Sequence, residues 1–158
     1  MSHLPESAAD TAFGRRDYYR KRFGLPASVE PYANRIVMKV GGIAAITMPG
    51  QLGEAVLDAS AAHGVAGGPI ILHTRSGRWT FILEPDIAFE DYELYAEMYR
   101  CSVTIAPLGA AVALPVSADH ADGYRVWKQL PDGDFRPSAA LVIELVRDRV
   151  RQDFRSRA

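Results

Sequence analysis

The chain has 158 residues, of which 48% are hydrophobic and 23% are charged, a composition typical of one globular domain with a single sizeable core. The formal net charge of -1 argues against a surface built throughout to neutralise phosphates, but it allows a local basic patch. A single cysteine, Cys101, excludes an intramolecular disulfide, and no Cys/His cluster has the spacing of a zinc site. Neither a basic, apolar leader nor a run of about 18 apolar residues is present. We therefore expect a cytoplasmic protein without a membrane span, a metal or another cofactor.

The first third of the chain predicts a helix followed by a β-hairpin. Ser7 and Asp10 resemble a helix N-cap, and a Gly and a Pro follow the polar stretch, so a helix is expected over 7–23. Two runs rich in β-branched residues, 35–40 and 43–48, flank a Gly-Gly pair. This pattern predicts two adjacent antiparallel strands joined by a tight turn.

The next segment predicts a helix and a second hairpin. Apolar residues recur at the 3, 4 and 7 spacing of one helical face over 50–63, and Gly64 stands where a C-cap glycine would. The runs 69–73 and 79–83 are joined by a short basic loop, which is typical of a hairpin.

An acidic amphipathic helix is predicted next. Six acidic and no basic residues lie between Glu84 and Glu97, and Tyr92, Tyr95 and Tyr99 keep helical spacing. One interpretation is a solvated acidic face whose tyrosines cover the core. The other is a docking surface for a basic protein partner, formed by Glu90, Asp91, Glu93 and Glu97.

The last part predicts short strands at 103–105, 111–114 and 124–127, then a helix over 137–155 that begins with a proline in its first turn. The predicted order is helix, two strands, helix, two strands, helix, three strands, helix. We expect an α+β fold in a single domain, residues 1–158, with one mostly antiparallel sheet and helices packed on it.

Two segments of the sequence resemble a known family. Residues 46–85, ITMPGQLGEAVLDASAAHGVAGGPIILHTRSGRWTFILEP, look like the part of bacterial bifunctional DNA primase/polymerase domains that runs from the first catalytic strand into the second hairpin. Residues 109–133, GAAVALPVSADHADGYRVWKQLPDG, are similar to that family's strand, proline turn, histidine loop and Tyr-x-Trp strand. The resemblance implies a primase/polymerase core of the RRM-like kind over 35–146, with 7–23 and 137–155 as flanking helices.

The family's catalytic residues are missing from these segments. Members that polymerise nucleotides place a pair of carboxylates on the strand that corresponds to 43–48, where they hold divalent metal. Here that strand reads IAAITM, and the third acidic position, near 103–107, is also vacant. The family's second motif has a histidine where this chain has Trp79. We therefore expect no metal-dependent polymerase activity, no catalytic residues and no metal site.

The hairpin loop retains residue types that bind nucleotides. Arg75 and Arg78 offer guanidinium groups for phosphate, Ser76 offers a hydroxyl, and Trp79 offers an indole for base stacking. The alternative is an ordinary turn whose tryptophan packs on the sheet.

A second cluster follows the proline turn. His120 either meets a phosphate or caps its own loop, and Arg125 adds a cation. Because side chains alternate along a strand, Tyr124 and Arg125 face opposite sides. The function predicted from these residues is a catalytically inactive primase/polymerase-like domain that binds a nucleotide or single-stranded nucleic acid. The alternative is a protein-interaction or regulatory module whose nucleotide cleft has filled with side chains.

Overall fold

The computed structural model describes residues 11–30, 32, 35–115 and 124–157, which form four helices and eight strands. The helices are α1 (Ala12–Phe23), α2 (Gly50–Ala62), α3 (Tyr92–Arg100) and α4 (Ala139–Ser156). The strands are β1 (Ala27–Glu30), β2 (Arg35–Lys39), β3 (Ala44–Pro49), β4 (Ile70–His73), β5 (Arg78–Leu83), β6 (Thr104–Ile105), β7 (Ala111–Ala113) and β8 (Arg125–Gln129). The protein is thus of the α+β class, as predicted. No helix in the described ranges combines the length and apolarity that crossing a membrane requires.

The main sheet has five strands in the order β6-β3-β5-β4-β8, and every neighbouring pair is antiparallel. From β3 to β6 the elements follow the chain order β3, α2, β4, β5, α3, β6. In the sheet these four strands lie in the order β6-β3-β5-β4, so the fourth strand of the unit is beside the first and the third is between the first and the second. This is the split βαβ connectivity of ferredoxin-like folds.

One face of the main sheet carries the larger core. Because side chains alternate along a strand, Met48 on β3 and Phe81 on β5 point to this face. They pack with Val56 of α2, Met98 of α3 and Val146 of α4, and each of the five side chains is almost completely buried. Three helices therefore cover this face of the sheet.

The opposite face is covered by a second layer. A small sheet with the order β1-β2-β7 and helix α1 pack here, around a core that includes Tyr19, Met38, Ile71 and Ile82. Tyr19 is held in place because its hydroxyl donates to the carbonyl of Pro115 at 2.8 Å. The molecule consequently has two sheets rather than the one sheet that was predicted.

The predicted hairpin over 35–48 is wrong. Strand β2 pairs with β1 and β7, whereas β3 pairs with β5 and β6, so the two strands lie in different sheets. The chain crosses between the layers at Gly41, whose φ of 144° suits glycine alone. Met38 and Ile43 on the two sides of this crossing enter the same core. Burial between the layers, rather than a ladder of hydrogen bonds, thus joins β2 to β3.

The ends of the elements agree with prediction in most places. Helix α1 has Thr11 as its N-cap and ends at Gly24 with φ 60°, while Ser7 and Asp10 lie outside the described residues. The α2 helix and the β4-β5 hairpin are confirmed. Helix α4 is also confirmed, but its N-cap is Ser138, so the preceding proline lies before its first turn. Strand β1 was not predicted.

Candidate nucleotide cleft

A cleft of about 480 Å³ opens between the main sheet and the small sheet. The second layer, formed by the small sheet and α1, buries Ile71 and Ile82 at one end of the main sheet but leaves the other end of that face open. The cleft is lined by Glu30, Arg35, Val37, Ala45, Thr47, His73, Ser76, Arg78, Thr80, Ala106, Ala111, Val112, Ala113 and Arg125. Its lining therefore comes from both sheets and from the β4-β5 turn.

The floor of the cleft is a chain of three hydrogen-bonded side chains. Thr47 and Thr80 stand opposite each other in the β3-β5 register, and their hydroxyl oxygens are 2.7 Å apart. The Thr80 hydroxyl is also 2.7 Å from Nε2 of His73. These contacts satisfy both hydroxyl groups within the protein, so the floor is polar but uncharged.

The environment of His73 keeps its imidazole neutral. Partial burial lowers the pKa of His73 from its ordinary value of 6.5, and the positive charges of Arg125 and Arg78 lower it further. A neutral imidazole can both donate and accept a hydrogen bond.

Three arginines and one glutamate line the walls, which gives the lining a net charge of +2 with His73 neutral. Arg78 is anchored, because its Nη2 donates to the carbonyls of Ser102 at 2.7 Å and of Thr47 at 3.3 Å. Arg35 forms an ion pair with Glu30 at 3.0 Å.

Arg125 differs from the other two arginines. Its guanidinium makes no hydrogen bond and no ion pair with any residue in the described part of the chain. It stands beside His73, because the two residues are register partners in the β4-β8 ladder. A cation in this position is available to an anionic ligand.

Strand β3 presents Ala45 and Thr47 to the cleft. Within residues 11–30, 32, 35–115 and 124–157, no group of three or more His, Cys, Asp or Glu side chains is placed to hold a metal ion. The three arginines and one glutamate of the lining suit an anion.

The structure brings three of the predicted site residues together, namely Ser76, Arg78 and Arg125. Arg75 is not part of the lining. Its guanidinium stacks over the ring of Tyr124 at 4.1 Å from the centroid and donates to the Tyr124 hydroxyl at 3.0 Å. His120 lies outside the described residues.

The expectation that Trp79 stacks on a ligand is wrong. Trp79 is 7% exposed and belongs to the core under the helices, on the sheet face opposite the cleft. The alternative interpretation, a tryptophan packed on the sheet, holds for this residue. The physical reason is the two-residue alternation of β5, which sends Arg78 and Trp79 to opposite faces.

Five polar cleft residues were missed as candidates, namely Glu30, Arg35, Thr47, His73 and Thr80. Thr80 had a usable signal, because counting by two from Arg78 places it on the same face. Thr47 and Arg35 had none, since their positions depend on strand pairing between distant parts of the chain.

No family model matches this chain, and neither a curated protein nor a solved structure with significant similarity was found. The functional assignment therefore rests on the cleft itself.

Proposed function

We propose that the cleft binds the phosphate groups of a nucleotide, and that the protein is a primase/polymerase-like domain without metal-dependent polymerase activity. The observation that carries the proposal is the guanidinium of Arg125, which lies in an open cleft beside Arg78 and His73 and has no partner among the described residues. An arginine forms paired, charge-assisted hydrogen bonds with phosphate oxygens, which makes it the usual residue for this task.

The size of the cleft supports a ligand of this class. Small-molecule sites in proteins have volumes of roughly 300–1,000 Å³, and the cleft at about 480 Å³ lies in that range. Its apolar lining, which includes Val37, Val112 and Ala106, offers a surface for a base or sugar next to the cationic part.

The chemistry of the floor supports binding without phosphoryl transfer. Metal-assisted transfer needs carboxylates that hold divalent ions against the phosphates. The Thr47 and Thr80 hydroxyls on the cleft floor bond to each other and carry no charge. Arginines on the walls are then the groups that meet the ligand's negative charge.

The alternative function, a protein-interaction module with a filled cleft, has less support. The cleft is open, so the nucleotide proposal does not require side chains to move aside. A protein contact at α3 is compatible with either function, because Tyr92 and Tyr99 on that helix are both 75% exposed.

A direct binding measurement tests the proposal. The binding of ATP, and separately of a short oligothymidylate, is measured by equilibrium dialysis or calorimetry. The measurement uses the wild type, Arg125→Gln and the matched control Arg155→Gln. Arg155 is an exposed arginine in the last turn of α4, far along the chain from the cleft lining.

We expect saturable, salt-sensitive binding of ATP by the wild type and the control. Removing one charged hydrogen-bond partner costs about 1.5–3 kcal/mol, so Arg125→Gln should weaken binding by roughly 10-fold to 100-fold. Tighter binding of the oligonucleotide than of ATP would identify a single strand as the ligand. The absence of saturable binding to both ligands, or equal affinities of Arg125→Gln and wild type, would refute the proposal.

A further inference from the structure

Helix α3 has an outer face that no other described element covers. Its inner face contributes Leu94 and Met98 to the core. On the outer face, Tyr92 and Tyr99 are each 75% exposed, so only Tyr95 of the three tyrosines packs against the core. Exposed Ala96 lies between them at helical spacing. The two exposed aromatic side chains give this helix face apolar area that a partner could cover.

The outer face of α3 carries a negative charge near its start and a positive charge near its end. Glu93 is in the first turn and Arg100 is in the last turn. Neither side chain forms an ion pair with a residue in the described ranges, whereas Glu97 does, with Arg147 at 2.8 Å. The hydrogen bond from Arg147 lowers the pKa of Glu97, so that carboxylate is already used within the molecule. Of the predicted docking acids, Glu97 therefore belongs to the α3-α4 contact.

We propose that this outer face of α3 is a self-association surface, on which α3 of a second copy of the chain packs antiparallel about a two-fold axis near Ala96. Helical geometry supports the match. With a rise of about 1.5 Å per residue, Tyr92 lies about 6 Å before Ala96 and Tyr99 about 4.5 Å after it. A two-fold axis therefore brings Tyr92 of each copy to Tyr99 of the other.

The same operation pairs the free charges. Glu93 lies about 4.5 Å before Ala96, and Arg100 lies about 6 Å after it. On the helical wheel both residues stand on the opposite side of Ala96 from the tyrosines. Each Glu93 thus meets the other copy's Arg100, which gives two ion pairs in an isologous interface. The small side chain at position 96 allows the helix axes to approach to about 8–10 Å.

The pattern favours a second copy over an unrelated basic partner. A basic partner would meet Glu93 but would be repelled by Arg100, whereas a second antiparallel copy satisfies both charges. One short helix from each copy makes an interface at the small end of the range for protein complexes, so the dimer is weak and concentration-dependent. The inference does not depend on the nucleotide cleft.

Charge reversal tests the arrangement by sedimentation equilibrium over a wide concentration range. Glu93→Arg and Arg100→Glu each place like charges opposite each other twice, and each should weaken dimerisation at least 10-fold. The double variant Glu93→Arg/Arg100→Glu restores both pairs and should dimerise like the wild type. Glu54→Arg, at an exposed glutamate of α2, is the matched control and should have no effect.

Circular dichroism spectra and thermal unfolding show whether each variant retains the wild-type fold, and all three substituted positions are exposed. A wild type that stays monomeric at every concentration would overturn the proposal. So would a dimer that is insensitive to either reversal, or a double variant that associates no better than the two single variants.

Discussion

Trp79 packs in the core of the structure, and replacement of Gly53 tests this packing directly. Gly53 is a buried glycine in α2, and its backbone lies against the indole. A Cβ at this position would be 2.6 Å from Cε3 and 2.9 Å from Cδ2 of Trp79. The indole is 7% exposed and packs near the ring of Phe81, so it has little room to withdraw.

Two opposing contributions determine the effect of Gly53→Ala. Alanine in a helix interior is more favourable than glycine by about 1 kcal/mol. Overpacking a close-packed core costs about 1–3 kcal/mol, and the upper half of that range applies because real Cβ contacts do not reach 2.6 Å. We expect Gly53→Ala to lower the free energy of unfolding by about 1–2 kcal/mol, measured by urea denaturation with circular dichroism.

A second substitution isolates the contact. In a Trp79→Leu background the fused ring is absent and the aliphatic side chain is flexible, so Gly53→Ala should be neutral or stabilising. Because Trp79 faces away from the cleft, ATP affinity should not change in Gly53→Ala. Stabilisation by about 1 kcal/mol in the wild-type background, the value for an uncrowded helix site, would show that the indole does not pack on α2.

Three further outcomes follow from the cleft and the second core. Adding Mg²⁺ should weaken ATP binding, measured by calorimetry with and without the ion, because the cationic lining favours the metal-free polyanion. The folded-state pKa of His73 is lowered, so its contribution to stability is present above pH 6.5 and is lost as the pH falls below that value. The urea midpoint of His73→Gln should therefore decline less than the wild-type midpoint over this acid range. Tyr19→Phe leaves the carbonyl of Pro115 and the indole N–H of Trp127 without their hydroxyl partner, and should cost about 1–3 kcal/mol in urea denaturation. Burial raises the pKa of Tyr19 to about 12, so the wild type should also lose stability between pH 10 and pH 12, and the variant should lose less.

Local signals in the sequence predicted the elements that depend on local contacts. The β4-β5 hairpin was found because its turn and both strands lie within fifteen residues or so of each other. The Gly-Gly pair before β3 has the same local appearance, yet there it carries the chain from one sheet to the other. A glycine pair indicates a change of direction, and only long-range burial decides which strands then pair.

The candidate site was predictable to the extent that it lies on one strand. Alternation alone separates Arg78 from Trp79, so a site that used both was inconsistent with the predicted strand. The assembly of the cationic lining was beyond prediction, although Arg78 and Arg125 were each predicted as site residues. It needs Arg35 from the small sheet to line the same cleft as Arg125 and His73, and these residues are far apart in the chain.

The pairing of Thr47 with Thr80 determines which ligands suit the cleft. If the floor held carboxylates, a divalent cation would be required between them and a phosphate. Because the two hydroxyls satisfy each other and His73 is neutral, the floor has no charge that a cation would balance. The net charge of the lining then comes from the walls, where Arg125 has no partner among the described residues. A metal-free polyanion that reaches both walls is the ligand this distribution of charge favours, and this is the reason that magnesium should compete with the protein for ATP.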